Sequence, residues 1–307
     1  MEHITDPAWH RRYDRAAHTL DSVRVVVAQQ RAVERSRPHA SPRADVRSGR
    51  TALRTARHVG HFAGSFNPLT NAHVAIEEAA RAAGGLDCVV WACAAVTVDK
   101  ERVERASVAD RLAQLAAYVH CAPGSAVALV NRGLYVEQAR ALRARMDRRA
   151  QLSIIVGFDK AVQIFDPHYY ADRDAALREL FALARLLVSP RAGADADDLA
   201  ALLARPENRP FARHVTFVPV SSAHAGDSST EARRLLAASP DPLQPGQEQR
   251  ALIELVAPEG LALARETGAY EQSDRYAARM RLIHELAALP VARLPARPTV
   301  SALMVGA

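Results

Sequence analysis

Short apolar runs of strand length alternate with longer stretches of helical periodicity between residues 58 and 220, and that alternation narrows the choice of fold more than any other feature. QLSIIVGFD (151–159) is the strongest candidate for a strand covered on both faces. HVGHF (58–62), LDCVVWACAAV (86–96), SAVALV (125–130), ARLLVSP (184–190) and HVTFVPV (214–220) are the other candidate strands. Between them lie NAHVAIEEAARAAGG (71–85) with its Gly-Gly stop, SVADRLAQLAAYVH (107–120), YVEQARALRARM (135–146) and a polar helix from Asp195 to Leu203. Such alternation implies an α/β fold, a doubly wound parallel sheet with helices on both faces. Ligands of these sheets bind beyond the carboxyl ends of the strands. The residues least suited to a core gather there: GSFNP after the first strand, VTVDK after the second, GFD after the fourth and SSAHAGDSSTEAR after the last.

The chain has 307 residues, enough to bury one sizeable core without disulfides. Cys88, Cys93 and Cys121 form no CxxC pair and leave an odd thiol in any bridging scheme, which points to a reducing cytoplasm and to no structural zinc. No apolar run approaches the roughly 20 residues that span a bilayer, and the opening MEHITDPAWHRRYDR lacks the apolar centre of a signal peptide. A cytoplasmic protein without a membrane partner is expected. The formal charge of +6 is concentrated, because residues 1–57 hold 12 arginines against 6 acidic residues. The balanced remainder argues against an extended nucleic-acid groove, and a contact with RNA or an acidic partner would rest on the N-terminal arm alone.

Residues 8–35 carry a helical pattern with arginine outward, and SRPHASPRADVRSGR (36–50) has the composition of a linker. From Gln272 a helix gives way to the Pro-punctuated ALPVARLPARPTVSALMVGA. The expected organisation is an Arg-rich helix and linker over 1–55, a main domain over 56–271 and a helical extension with a tail over 272–307. Removal of residues 1–55 is expected to leave nucleotide chemistry largely intact.

Directly behind the first strand stands AGSFNPLTNAH (63–73). Gly64 lets a ligand approach the backbone, and N–H groups around Ser65 and Phe66 at the start of a helix suit phosphate oxygens. Pro68 stiffens the turn. Thr70 and His73, three apart, share one side of the helix. His73 suits a phosphate either as a hydrogen-bond donor or, protonated, as a countercharge; the alternative is a helix-capping or half-buried histidine. DSSTEARR opens another helix with Ser229 and Thr230 at its start and Arg233 one turn in, which is both a capping pattern and a receptor for phosphates. Asp159 follows Gly157 at the end of a strand, as a carboxylate at the binding edge or as a cap. Of 40 basic residues only Lys100 and Lys160 are lysine, each after an aspartate; Lys100 reads as a point charge for a phosphate, or as chance.

These segments resemble, in order and content, the nicotinamide/nicotinate mononucleotide adenylyltransferases of the nucleotidyltransferase superfamily. AGSFNPLTNAH resembles the superfamily's first signature, followed by VDKERVERASVADRLAQL (98–115), GLYVEQARAL (133–142), IVGFDKAVQIFDPHYY (155–170), SSTEARRLL (228–236) and the closing VAPEGLALARETGAY (256–270). The likeness spans roughly residues 57–271, and the form GFDK…IFDPHYY is closer to the eukaryotic-type branch. Two of the signature's glycines are replaced, by Ala63 and Ala72.

The resemblance implies a Rossmann-like fold and transfer of AMP from ATP to the mononucleotide with release of pyrophosphate. It assigns catalysis to Thr70, His73, Lys100 and Arg233, and ATP binding to Gly64, Ser65, Phe66, His73, Gly157, Asp159, Ser229, Thr230 and Arg233. The mononucleotide falls to Ser65, Lys100, Arg111, Tyr135, Tyr169 and Tyr170. Arg111 reads otherwise as a surface residue and the tyrosines as core. Mg2+ is implied as an ion carried by the phosphates, with no protein metal site. Amidated and acid mononucleotide both remain open, as does homo-oligomerisation. The alternatives are a phosphopantetheine adenylyltransferase, an alcohol-phosphate cytidylyltransferase, or a catalytically silent nucleotide-binding regulator.

Overall fold

Every side chain of the run Cys88–Ala94 is buried, and so is every one of Ser125–Val130, which is what apolar strands without alternation require: cover on both sides. The computed structural model describes residues 3–4, 6–19, 23–28, 53–95, 106–131, 133–191, 193–221, 228–238 and 247–288. Its strands are β1 (Val23–Ala28), β2 (His58–Gly64), β3 (Cys88–Ala94), β4 (Ser125–Val130), β5 (Gln151–Gly157), β6 (Arg185–Ser189) and β7 (Val215–Phe217). They form one sheet in the order β1-β4-β3-β2-β5-β6-β7. From β4 to β7 all pairings are parallel. Counted from β2, this is the doubly wound order, and it reverses between β2 and β5.

The helices are α1 (Pro7–Thr19), α2 (Asn71–Gly84), α3 (Val108–Cys121), α4 (Tyr135–Arg143), α5 (Phe158–Phe165), α6 (Arg173–Leu183), α7 (Ala196–Ala204), α8 (Ser229–Ala238), α9 (Gln247–Leu255), α10 (Pro258–Thr267) and α11 (Arg275–Ala288). They cover two apolar cores, one on each face of the sheet. Phe62, Trp91, Leu129 and Ile155 point to the face shared with α2, α3, α8, α10 and α1. Val59, Val90, Ala128 and Ile154 point to the face shared with α4 to α7. The Gly-Gly stop works as expected: Gly85 ends α2 at φ 57°, a left-handed conformation that glycine takes without strain.

The N-terminal region departs from expectation. A single helix over 8–35 is not formed; α1 ends at Thr19, and Val23–Ala28 lies antiparallel on β4, so the sheet is not wholly parallel. VRVVVA is rich in β-branched valine, and an open sheet edge offered it backbone partners, which outweighs its helical spacing. Nor is α1 a solvated arm. Ile4, Trp9 and Tyr13 are buried in the core, with the Trp9 indole N–H donating to the Ala109 carbonyl at 2.9 Å. Removing residues 1–55 therefore uncovers core, contrary to the expectation of a separable arm. No helix among the described residues is long and apolar enough to cross a membrane.

Candidate active site

Where the strand order reverses, β2 ends at Gly64 and β5 at Gly157, and a cleft of about 430 Å³ opens between the segments that follow them. The turn after β2 is held in an uncommon shape. Phe66 takes φ 45°, rare for a residue with a side chain, and the Asn67–Pro68 peptide is cis. The Phe66 ring lies over Gly64, where a Cβ would sit 3.1 Å from it, and packs among Phe62, Trp91 and His73. The glycine thus makes room for the protein's own ring, a reason additional to ligand approach.

Each backbone carbonyl from Ser65 to Leu69 accepts a hydrogen bond from outside the turn. Arg111 Nη1 donates to Ser65 (2.9 Å), the Gln114 amide to Phe66, Arg233 Nη1 to Asn67 (2.8 Å), Ser229 Oγ to Pro68 (3.2 Å) and the Ala257 N–H to Leu69 (3.2 Å). The Tyr270 hydroxyl adds a 2.7 Å bond to the Asn67 side chain. So held, the carbonyls are committed to the protein.

His73 stands on the first turn of α2 and lines the cleft. Its Nδ1 receives the Thr70 N–H at 3.1 Å and lies 2.7 Å from Thr70 Oγ1. A nitrogen that accepts from a backbone amide carries no proton, so the ring proton sits on Nε2. Burial, helped by the positive charge of Arg191, lowers the His73 pKa to about 3. The imidazolium reading fails for the free protein: His73 is a neutral donor. The capping reading holds, and because Nδ1 makes the cap, the proton on Nε2 is compatible with the ligand reading.

On the facing wall Gly157 and Asp159 line the cleft with Tyr135, Tyr169, Tyr170 and Lys160. A Cβ at Gly157 would lie 2.7 Å from Asp159 Oδ1, so the carboxylate folds back over the strand end in space only glycine leaves. Asp159 does not cap α5; Gly157 occupies that position and no side-chain cap bond forms. Asp159 also bears on Tyr135, whose phenol is pushed well above its usual range by burial and then by that negative charge. The Tyr170 hydroxyl donates to the Ile164 carbonyl at 2.9 Å, and burial pushes its pKa up to about 12. Lys160 reaches Gln163 Oε1 at 2.7 Å.

The third wall is the start of α8. Ser228, rather than Ser229 or Thr230, caps it, accepting the Glu231 N–H at 3.1 Å. Ser229, Thr230 and Arg233 are left facing the cleft, with Arg233 Nη2 on Thr230 Oγ1 at 3.1 Å.

One expected residue is not found there. Arg111 is fully buried behind the turn, its guanidinium on the Ser65 and Ala94 carbonyls, and does not line the cleft. It sits on the inward face of α3, almost wholly out of solvent. Lys100 lies outside the described residues. Arg191, not expected from the sequence, also lines the cleft, close enough to His73 to bias its proton. The signal for it is its place just past the end of β6, at the edge where ligands of such sheets bind. Gln138 was missed as well; its Oε1 accepts from His61 Nε2 at 2.6 Å while the residue lines the cleft. Among the described residues no cluster of three or more His, Cys, Asp or Glu could hold a metal ion.

The sequence model of the cytidylyltransferase-like family matches residues 61–235. A probable nicotinate-nucleotide adenylyltransferase of Gloeobacter violaceus is 31% identical over 185 residues, covering 59% of this chain and 84% of that protein. Among solved structures, Plasmodium falciparum nicotinic acid mononucleotide adenylyltransferase complexed with NaAD aligns with a TM-score of 0.49 at 13% identity, over 70% of this chain and 97% of that one. Its complex with APC aligns at 0.47 and 12%, with the same coverage. A family match over more than half the chain, with a relative at this identity aligned along most of its own length, means that the chain belongs to the cytidylyltransferase-like nucleotidyltransferases, among the nicotinate-nucleotide adenylyltransferases.

Proposed function

We propose that the protein transfers the adenylyl group of ATP to nicotinate mononucleotide, forming the dinucleotide and pyrophosphate. The observation that carries this reading is the convergence of His73, Arg191, Arg233 and the start of α8 with Asp159 and three tyrosines on the lining of a single cleft. Cationic groups and a helix N-terminus suit a triphosphate. A carboxylate at a strand end suits ribose hydroxyls, and aromatic rings suit a pyridine base. The acid rather than the amide is favoured by the likeness to the Gloeobacter protein.

In this reaction an oxygen of the mononucleotide 5′-phosphate attacks the α-phosphorus of ATP. A new P–O bond forms as the bond to the bridging oxygen of the β-phosphate breaks, and pyrophosphate leaves with the electron pair. The nucleophile is already an anion, so no general base is needed, and the protein contributes alignment and charge compensation. His73 Nε2–H donates to a non-bridging α-phosphoryl oxygen, a bond that strengthens as charge builds there. Arg233 and the start of α8 take the departing phosphates, and Arg191 adds positive charge beside His73. The turn's amides, around Ser65 and Phe66, support the mononucleotide phosphate. Mg2+ carried by the phosphates and water would supply further countercharge.

The test is pyrophosphate release from ATP and Mg2+ with nicotinate mononucleotide, nicotinamide mononucleotide and phosphopantetheine offered in parallel, and His73→Ala as control. Turnover is expected with the first and is lost in the variant. Binding of ATP without release from any of the three overturns the proposal.

A further inference from the structure

The two ends of the described chain meet on the first turn of α3. Asp110, wholly buried, receives both arms of the Arg279 guanidinium from α11, at 2.8 and 3.0 Å. The Tyr276 hydroxyl, also from α11, donates to Asp110 Oδ2 at 2.7 Å and accepts the Ser107 N–H at 2.7 Å. From the N-terminal side Asp14 accepts the Ala109 N–H at 2.9 Å. Arg279 also donates to the Ile4 carbonyl, which His10 Nε2 meets at 3.0 Å. An acidic residue three positions after a helix cap ordinarily reaches back to the cap N–H; here Asp110 Oδ2 accepts from the Ser107 hydroxyl at 3.2 Å and pairs with Arg279, while Tyr276 takes that N–H.

One residue further along α3, Arg111 holds the Ser65 carbonyl, and Gln114 holds the Phe66 carbonyl and the Leu69 N–H (3.0 Å). The first turns of this helix are therefore held by the terminal helices and themselves grip the phosphate turn. A buried ion pair adds little net stability, and its best-attested use is to fix register. We propose that Arg279 and Asp110 form a positioning clasp: through α3, the terminal helices set the place of the Ser65–Leu69 turn and so the affinity of the cleft for a nucleoside triphosphate. This rests on reading the cleft as a nucleotide site. Arg279 is a positioning residue and touches no substrate.

The experiment compares wild type, Arg279→Lys, which keeps the charge and loses the fork, Tyr276→Phe, which keeps the ion pair and loses one hydroxyl, and Arg281→Ala, an exposed control on α11. Affinity for α,β-methylene-ATP is read by calorimetry, thermal midpoint by circular dichroism, and kcat and KM with nicotinate mononucleotide. Arg279→Lys and Tyr276→Phe are expected to stay folded and to weaken the analogue about tenfold while lowering kcat ~10- to 100-fold, as small misplacements of a positioned site do. Arg281→Ala changes neither. Combining Arg279→Lys with Arg111→Lys costs less than the product of the two single effects, because both act through one helix. If Arg279→Lys does not fold, Tyr276→Phe carries the same test alone. Folded variants that bind the analogue like wild type, or losses that multiply independently, overturn the clasp. A wild type that binds the analogue but turns over no acceptor counts against the proposed reaction only; the variants' affinities still decide the clasp.

Discussion

Two histidines make the fold sensitive to mild acid. His61, on β2, is fully buried, with Nε2 donating to Gln138 and Nδ1 without a partner, and burial lowers its pKa from 6.5 to about 4. His73, partly buried, is lowered to about 3. Both stay neutral in the folded protein while the unfolded chain takes up protons below its pKa of 6.5. Stability is thus fully present above pH 6.5 and is lost as pH falls toward the folded values of about 4 and 3. Well inside that window each histidine contributes a slope of about 1.4 kcal/mol per pH unit. At pH 5 each has lost about 2 kcal/mol, so together about 4 kcal/mol, with the share of the partly solvated His73 an upper bound. His214, whose pKa is also lowered, adds in the same direction. Urea unfolding at half-unit steps from pH 7 to 5, above most carboxylate titration, measures the slope. His61→Gln, which removes one titrating group, should lower it by about 1.4 kcal/mol per unit. A free energy flat between pH 7 and 5, or a slope that His61→Gln leaves unchanged, would refute the assignment of these histidines as buried and neutral.

Other expectations are more local. Replacing His73 by Ala should lower kcat about 100- to 1,000-fold with a smaller change in KM, since a donor aimed at developing charge is lost; steady-state kinetics check it. Arg191→Met should raise the His73 pKa followed by NMR titration, because the Arg191 charge helps to hold it down; an unmoved titration removes Arg191 from that role. Asp159→Asn should raise KM for ATP about tenfold, the scale of one charged hydrogen bond. Gly124→Ala should cost about 1–3 kcal/mol in urea unfolding, because Gly124 has φ 73° and a Cβ there would lie 2.6 Å from the Asp87 carbonyl. Activity per folded molecule should stay unchanged.

The core of the fold was legible because its strands are apolar throughout and its helices amphipathic, so period and punctuation agree, as in QLSIIVGFD followed by a helix or NAHVAIEEAARAAGG ended by Gly85. Val23–Ala28 was not, because a six-residue run at an edge takes its conformation from a partner distant in sequence, β4. The cleft residues of the Gly64, Asp159 and Ser229 segments could be read because each follows a strand or opens a helix at the edge where ligands bind. Arg111 could not: a guanidinium held by two carbonyls and one sulfur atom looks, in sequence, like any helical arginine, and only the packing of α3 turns it from ligand to brace. The charge of His73 was likewise hidden, since it depends on Thr70, on burial and on Arg191 from a different strand end.

The strand β1 has a practical corollary. The family match begins at residue 61, which invites trimming the chain to that point. Such a fragment would lose the antiparallel partner of β4 and bare a row of backbone donors and acceptors along Ser125–Val130, an adhesive edge of the sort that seeds sheet-to-sheet aggregation. It would also strip Ile4, Trp9 and Tyr13 from the apolar layer above α3. Sparingly soluble material from a shortened gene would then report a torn sheet edge, and an expression clone is better begun at the first residue than at the first recognisable motif.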